Sequence, residues 1–151
     1  MFRGVQTGSV DDKFRLKMPA AVRNSLMADY ENPGVFITSL DGKEVRVYPL
    51  AEWEAVERKM AQAEDGSSLD GALKKKIMLR ANHFGADGSL DNQGRILIPG
   101  SLREDSGMRG EVQLQWFRNH ILVLSADAYQ SRLAAAELSE DDIAAADNWG
   151  F

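Results

Sequence analysis

Polar and apolar positions alternate through Arg15-Leu16-Lys17-Met18, the period of a strand with one buried face. Pro19 closes that strand, since proline cannot donate to a ladder, and Pro99 does the same eighty positions on. Short helices are expected just after each proline, over 20–27 and 100–106. Apolar runs at 35–39 and 45–48 predict a hairpin with Asp41-Gly42 at its turn. From Leu50 to Ala63, Leu50, Trp53, Val56 and Met60 recur at spacings of three and four, which puts them on one helical face. Gly66-Ser67-Ser68 reads as a linker. A helix over Leu69–Phe84 follows, with Leu73, Ile77, Ala81 and Phe84 inward and Lys74–Lys76 toward solvent.

This pattern occurs twice. SVDDKFRLKMP at 9–19 and SLDNQGRILIP at 89–99 share Ser, Asp, Arg and Pro at a constant offset of 80, and the match extends to Arg23 and Arg103. Each half continues with two apolar runs, GVFITSL and EVRVYPL at 34–50, EVQLQWF and HILVLSA at 111–126, and then a helical segment. The expectation is an α+β, β-rich fold of two tandem βαβ-like halves: residues 1–63, a linker helix at 64–85, residues 86–133, and an acidic tail at 134–151. A half of about sixty residues buries little core alone, so the two are expected to pack about a pseudo-two-fold axis.

Charge narrows the function. The net charge is −5, yet Glu137, Glu140, Asp141, Asp142 and Asp147 of the tail account for all of it. Residues 1–27 carry Arg3, Lys13, Arg15, Lys17 and Arg23 against Asp11 and Asp12 alone. Phosphate binding follows the local field, so an acidic tail is compatible with DNA. The absence of cysteine excludes disulfides and thiolate chemistry and fits a reducing compartment. No apolar run approaches the roughly 20 residues of a membrane helix. His83 and His120 lack metal-ligand spacing, and adjacent carboxylates such as Asp11-Asp12 point to opposite faces of a strand. No enzyme, metal, cofactor or small-molecule substrate is expected.

The opening MFRG, the turns DDKFR at 11–15 and DNQGR at 91–95, YPLAEWE at 48–54 and GRILIP at 94–99 together resemble the MraZ family over about residues 1–133. The resemblance implies an AbrB-like swapped-hairpin fold doubled in one chain, assembly into rings, and binding to repeated G-rich promoter boxes. It also implies repression of the chain's own operon in the division and cell-wall gene cluster, by a cytoplasmic, nucleoid-associated protein. The family's first turn has Gly where this chain has Phe14, whereas the second keeps Gly94. Phenylalanine tolerates a positive φ poorly, so either the first turn differs or Phe14 projects outward.

Arg15 and Arg95 are the leading candidate DNA contacts: an arginine at a hairpin tip can fork onto a phosphate or onto guanine. Each could instead pair with the aspartate four residues back, Asp11 or Asp91, which are expected to stabilise the turns. Lys13, Lys17, Arg3, Arg23 and Arg103 are weaker candidates. Trp53 and Trp116 fall in apolar patterns and are expected in the core. The rival reading, prompted by Phe14 and the net acidity, is an oligomeric protein-binding scaffold or antitoxin-like partner without DNA contacts. The tail is expected to extend the preceding helix briefly and end as a mobile acidic segment able to cover a neighbour's basic turns.

Overall fold

The computed structural model describes residues 1–31, 34–62 and 68–151, with the side chains of 68–70 left out. The expected linker at Gly66-Ser67 lies outside the described residues, and Ser68 already opens a helix.

The first half runs β1 (Val5–Val10), β2 (Arg15–Lys17), α1 (Ala20–Asp29), β3 (Val35–Thr38), β4 (Val45–Pro49) and α2 (Leu50–Gln62). After α3 (Ser68–Phe84) come β5 (Ala86–Gly88), β6 (Arg95–Leu97), a 3₁₀ turn at Gly100–Leu102, β7 (Gly110–Phe117), β8 (His120–Ser125), α4 (Ala126–Ala135) and α5 (Glu140–Asn148). The chain is α+β and β-rich, as the two periods predict.

All eight strands join one antiparallel sheet in the order β5-β3-β4-β8-β7-β1-β2-β6. The halves interleave: β1 pairs with β7 of the other half, and β5 returns the exchange by pairing with β3. Where β2 meets β6, Leu16 lies opposite Ile96, the residue eighty positions on. Where β4 meets β8, Arg46 lies opposite Leu122, its counterpart at the offset of 76 that relates these strands. The pseudo-two-fold axis therefore passes through both pairs. The two edge strands, β5 and β6, are consecutive in the chain, so the sheet curls nearly to closure at the turn joining them.

Alternation places the core inside this curl. Leu16, Met18, Ile96 and Ile98 are fully buried, as are Val112 and Leu114 of β7, Val35 and Ile37 of β3, and Ile121 and Val123 of β8. The segment after Pro99 differs from expectation. Instead of a helix over 100–106 it makes only the 3₁₀ turn, because Gly100, Ser101, Ser106 and Gly107 are poorer helix formers than their counterparts in α1, Ala20, Ala21, Leu26 and Met27. The β3–β4 turn is as read: the Asp41 carboxylate accepts from the amides of Lys43 (2.9 Å) and Glu44 (3.0 Å), and Gly42 takes φ 80°.

A second, smaller cluster lies outside the sheet, where Trp53 of α2 stacks on Phe36 with ring centroids 4.3 Å apart and packs with Tyr48 and Ala81. Trp53 is core, and Trp116 packs half-buried against the main core. The stripe on α3 holds only at its C-terminal end. Ala81 and Phe84 are buried, and the Ala81 carbonyl accepts from the Thr38 hydroxyl at 2.6 Å, but Leu73 is exposed and Lys74 is half-buried. The helix docks on β3 by its last turns and stands away from the sheet before them.

His120 sits under Tyr48, with centroids 4.8 Å apart. Burial, and then the charge of Arg46, lower its pKa from the ordinary 6.5 to about 4. The folded state thus holds a neutral imidazole that the unfolded chain protonates below about 6.5, so stability falls as pH drops from 6.5 toward 4. Urea unfolding should show this loss in the wild type, and His120→Gln should flatten the part of the slope lying in that window. Parallel profiles would place the pH dependence elsewhere.

Candidate nucleic-acid interface

The two DxxxR turns fold alike, each organised by its aspartate. In the first, Asp11 Oδ1 accepts from the amides of Lys13 and Arg15, both at 3.0 Å, and Oδ2 accepts from Arg15 Nε at 2.7 Å. In the second, Asp91 Oδ1 accepts from the amides of Gln93 (2.8 Å) and Arg95 (2.9 Å), and Oδ2 accepts from Arg95 Nε at 2.9 Å. Backbone bonds match as well, from Asp11 to the Arg15 carbonyl at 3.1 Å and from Asp91 to the Arg95 carbonyl at 2.9 Å. The arginine amide first of all, then the other donors of each turn, hold both carboxylates below their ordinary range. These pairs are solvent-exposed and add little stability by charge alone. Their effect is geometric, because each aspartate takes the Nε edge of its arginine and thereby fixes the direction of the guanidinium.

The pairing of β2 with β6 brings the turns together. Arg15 and Lys17 share the outer face of β2, and Arg95 and Leu97 share that of β6, with Lys17 opposite Arg95 and Arg15 opposite Leu97. Arg15 and Arg95 are partly exposed (side chains 34% and 22%), and Lys17 and Lys13 are exposed. Three cations and one exposed leucine thus surround the pseudo-two-fold axis. The face is asymmetric, since Leu97 occupies the position of Lys17.

Arg23 and Arg103 do something that the sequence did not suggest: each reaches under the turn of the opposite half. A Cβ built on Gly94 would stand 2.7 Å from Arg23 Nη1, so glycine leaves the room that Arg23 fills. Arg103 donates from Nε to the Ile98 carbonyl at 3.0 Å and lies over the Phe14 ring, 5.0 Å from its centroid. The turns also cross-bond through their backbones, Met18 to the Gly94 carbonyl (3.0 Å) and Ile98 to the Phe14 carbonyl (2.8 Å). Arg3 is exposed at the end of β1 away from its turn, outside this cluster.

Phe14 corrects both expectations about it. The turn keeps its shape, with φ 59° at Phe14 against 75° at Gly94, and the side chain packs half-buried instead of projecting. Arg109, which no sequence motif singles out, also lies over the ring, 4.9 Å from its centroid. Phe14→Ala should therefore destabilise more than Phe14→Gly, by ~1 kcal/mol, because both lose the packing but only glycine relieves the left-handed backbone. Urea midpoints in the reverse order would show the turn to be unstrained.

The chain is 35% identical to the transcriptional regulator MraZ of Koribacter versatilis, covering 94% of each chain, and 35% identical to that of Acidobacterium capsulatum over the whole of both. It belongs to the MraZ family. A relative of the same name from Shewanella frigidimarina is 29% identical over 88% of this chain and 85% of its own. Residues 86–148 also match the family model described as "MraZ protein, putative antitoxin-like". Among the described residues no group of three or more His, Asp or Glu is placed to hold a metal, and no helix is long and apolar enough to cross a membrane.

Proposed function

We propose that this MraZ-family chain is a sequence-specific DNA-binding transcription regulator that represses its own operon and the division and cell-wall cluster around it. It acts as a homo-oligomeric ring in the cytoplasm, associated with the nucleoid. The reading is carried by the outer face of the β2–β6 ladder, where Arg15, Lys17 and Arg95 gather about the pseudo-two-fold axis with both arginines oriented by aspartates. An arginine held by Nε still offers its Nη hydrogens, which match guanine O6 and N7 or a phosphate. In this reading Lys13 and Lys17 contact the backbone, Arg23 and Arg103 brace the opposite turns, and Arg3 adds a phosphate contact further out.

One such face is a weak binder on a chain of net charge −5. A ring presents many, and when their spacing matches repeated promoter elements, linkage raises affinity by ~10²–10⁴ without a new contact. The test is fluorescence anisotropy of the wild type on duplexes carrying one, two or several of the repeats upstream of its gene, beside a scrambled duplex, over a range of salt. Affinity should climb steeply with repeat number and fall with salt. Equal affinity for all duplexes would refute a specific regulator. Stable retention of a partner protein, with DNA binding no better than on the scrambled duplex, would favour the rival antitoxin-like scaffold, for which the exposed Leu97 beside Arg15 is the structural motive.

A further inference from the structure

The end of the chain forms a further helix. After α4, Ser139 caps α5 in a capping box, its hydroxyl accepting from the Asp142 amide while the Asp142 carboxylate accepts from the Ser139 amide at 2.9 Å. The helix is only 9 residues long and buries none of them. Isolated helices shorter than ~12–15 residues are marginal in water, so α5 needs packing that its own chain does not provide. The tail also carries the two most exposed large apolar groups among the described residues, Trp149 at 86% and Phe151 at 100%, and Leu138 and Ile143 are more than half exposed. An acidic segment with a terminal Trp and Phe has the composition of an interface anchor, not of a solubilising tail.

A complementary surface lies between α2 and α3, with the β7–β8 turn at one end. Because α3 docks only by its last turns, a trough opens between α2 and α3, formed by two adjoining clefts that share Met60 and Met78. Each cleft has a volume of about 550 Å³ (550 and 560), and Trp53, Val56 and Ile77 add to the apolar floor of one of them. Arg46, Lys59, Lys74, Lys75 and Arg118 line it against the carboxylates of Glu52 and Glu57. A basic-rimmed apolar trough thus complements a tail whose ionisable side chains are all acids and whose large apolar side chains are all exposed. The sizes fit: α5 is ~14 Å long, and α2, which forms one wall, is ~20 Å.

We infer that the tail of one copy, α5 with Trp149 and Phe151, docks in the α2–α3 trough of a second copy, and that this is a contact holding the assembly together. The contact runs from the C-terminal tail of one chain to the α2–α3 trough of the next. Passed on in one direction from copy to copy it is heterologous, and it makes a ring when the rotation closes. The inference rests on the proposed assembly and adds the surface that makes it.

The chain contains no cysteine, so single cysteines report the contact cleanly. Asn148→Cys in one full-length chain and Ala61→Cys in another, differently tagged and co-expressed, should cross-link through a short bismaleimide into a covalent heterodimer. Trp149→Ala/Phe151→Ala in the first chain, or Lys59→Glu/Lys75→Glu in the second, should lower the yield by ~10-fold or more. Undiminished yield in those variants would overturn the inference. So would placing both cysteines in one chain and finding the link only within that chain. Sedimentation separates the two ideas. An oligomeric wild type without the heterodimer overturns tail docking alone, whereas a monomeric wild type at every concentration overturns the proposed assembly as well.

Discussion

Arg15→Ala/Arg95→Ala is expected to abolish specific binding to the repeated promoter elements, leaving only the weak, salt-sensitive association of the remaining lysines. A good bidentate arginine contact to a base contributes ~1–3 kcal/mol of discrimination, and the loss recurs at every face that a ring applies to the DNA. Each single variant should lose part of this and reduce the salt slope by about one for every face engaged. Arg95→Lys separates charge from geometry. Lysine keeps the charge and so the slope, but one ammonium cannot fill the Asp91 carboxylate and present a planar fork as well, so specificity should still fall. Both turns should remain folded, because Asp11 and Asp91 also hold them through backbone amides. Specific binding that survives the double substitution would remove the turns from the interface.

The largest effect on stability is expected at the pseudo-two-fold axis. Leu16 is completely buried and faces Ile96 across the ladder that joins the halves, with Met18 and Ile98 buried beside them. Leu16→Ala should cost ~2–5 kcal/mol, the lost transfer energy plus the cavity. That is a large share of the ~5–15 kcal/mol that holds a domain together. Calorimetry should show Tm falling by ~5–20 °C. Leu97→Ala, one residue from Ile96 but on the outer face and 55% exposed, should change stability by less than ~0.5 kcal/mol. Leu16→Ala/Ile96→Ala should not be additive, since the two deletions open one shared cavity. Equal effects at 16 and 97 would mean that the ladder face is assigned the wrong way round.

Local rules made much of this legible. Arg15-Leu16-Lys17-Met18 shows its buried face by alternation alone, Pro19 and Pro99 mark the strand ends, and Asp41-Gly42 marks its turn. The repeat located both aspartate–arginine turns because their chemistry lies within five residues. What stayed hidden depends on distant partners. Arg23 lies against Gly94, and Arg103 and Arg109 lie on Phe14, contacts that exist only because the halves interleave. The exposure of Leu73 follows from where α3 parts from β3, and a helical stripe read on its own carries no such information. Nor does an acidic composition reveal a capped helix at 140–148, although Ser139 three residues before Asp142 is a capping signature visible in hindsight.

The interleaving also sets a timetable for synthesis. Val5 of β1 finds its partner Gln115 110 residues later, at the far side of the second half. At ~5–20 residues per second a ribosome needs on the order of 5–20 s to deliver that partner. Throughout that interval β1 offers an unpaired edge, and the apolar residues of β2 have neither β6 nor a closed core to bury them. The first half is left incomplete until the second emerges, and pairing across such sequence separations is slow. A nascent chain stalled before β7 would be exposed to strand exchange with its neighbours on a polysome, and a second copy could supply the missing strands as readily as the chain itself.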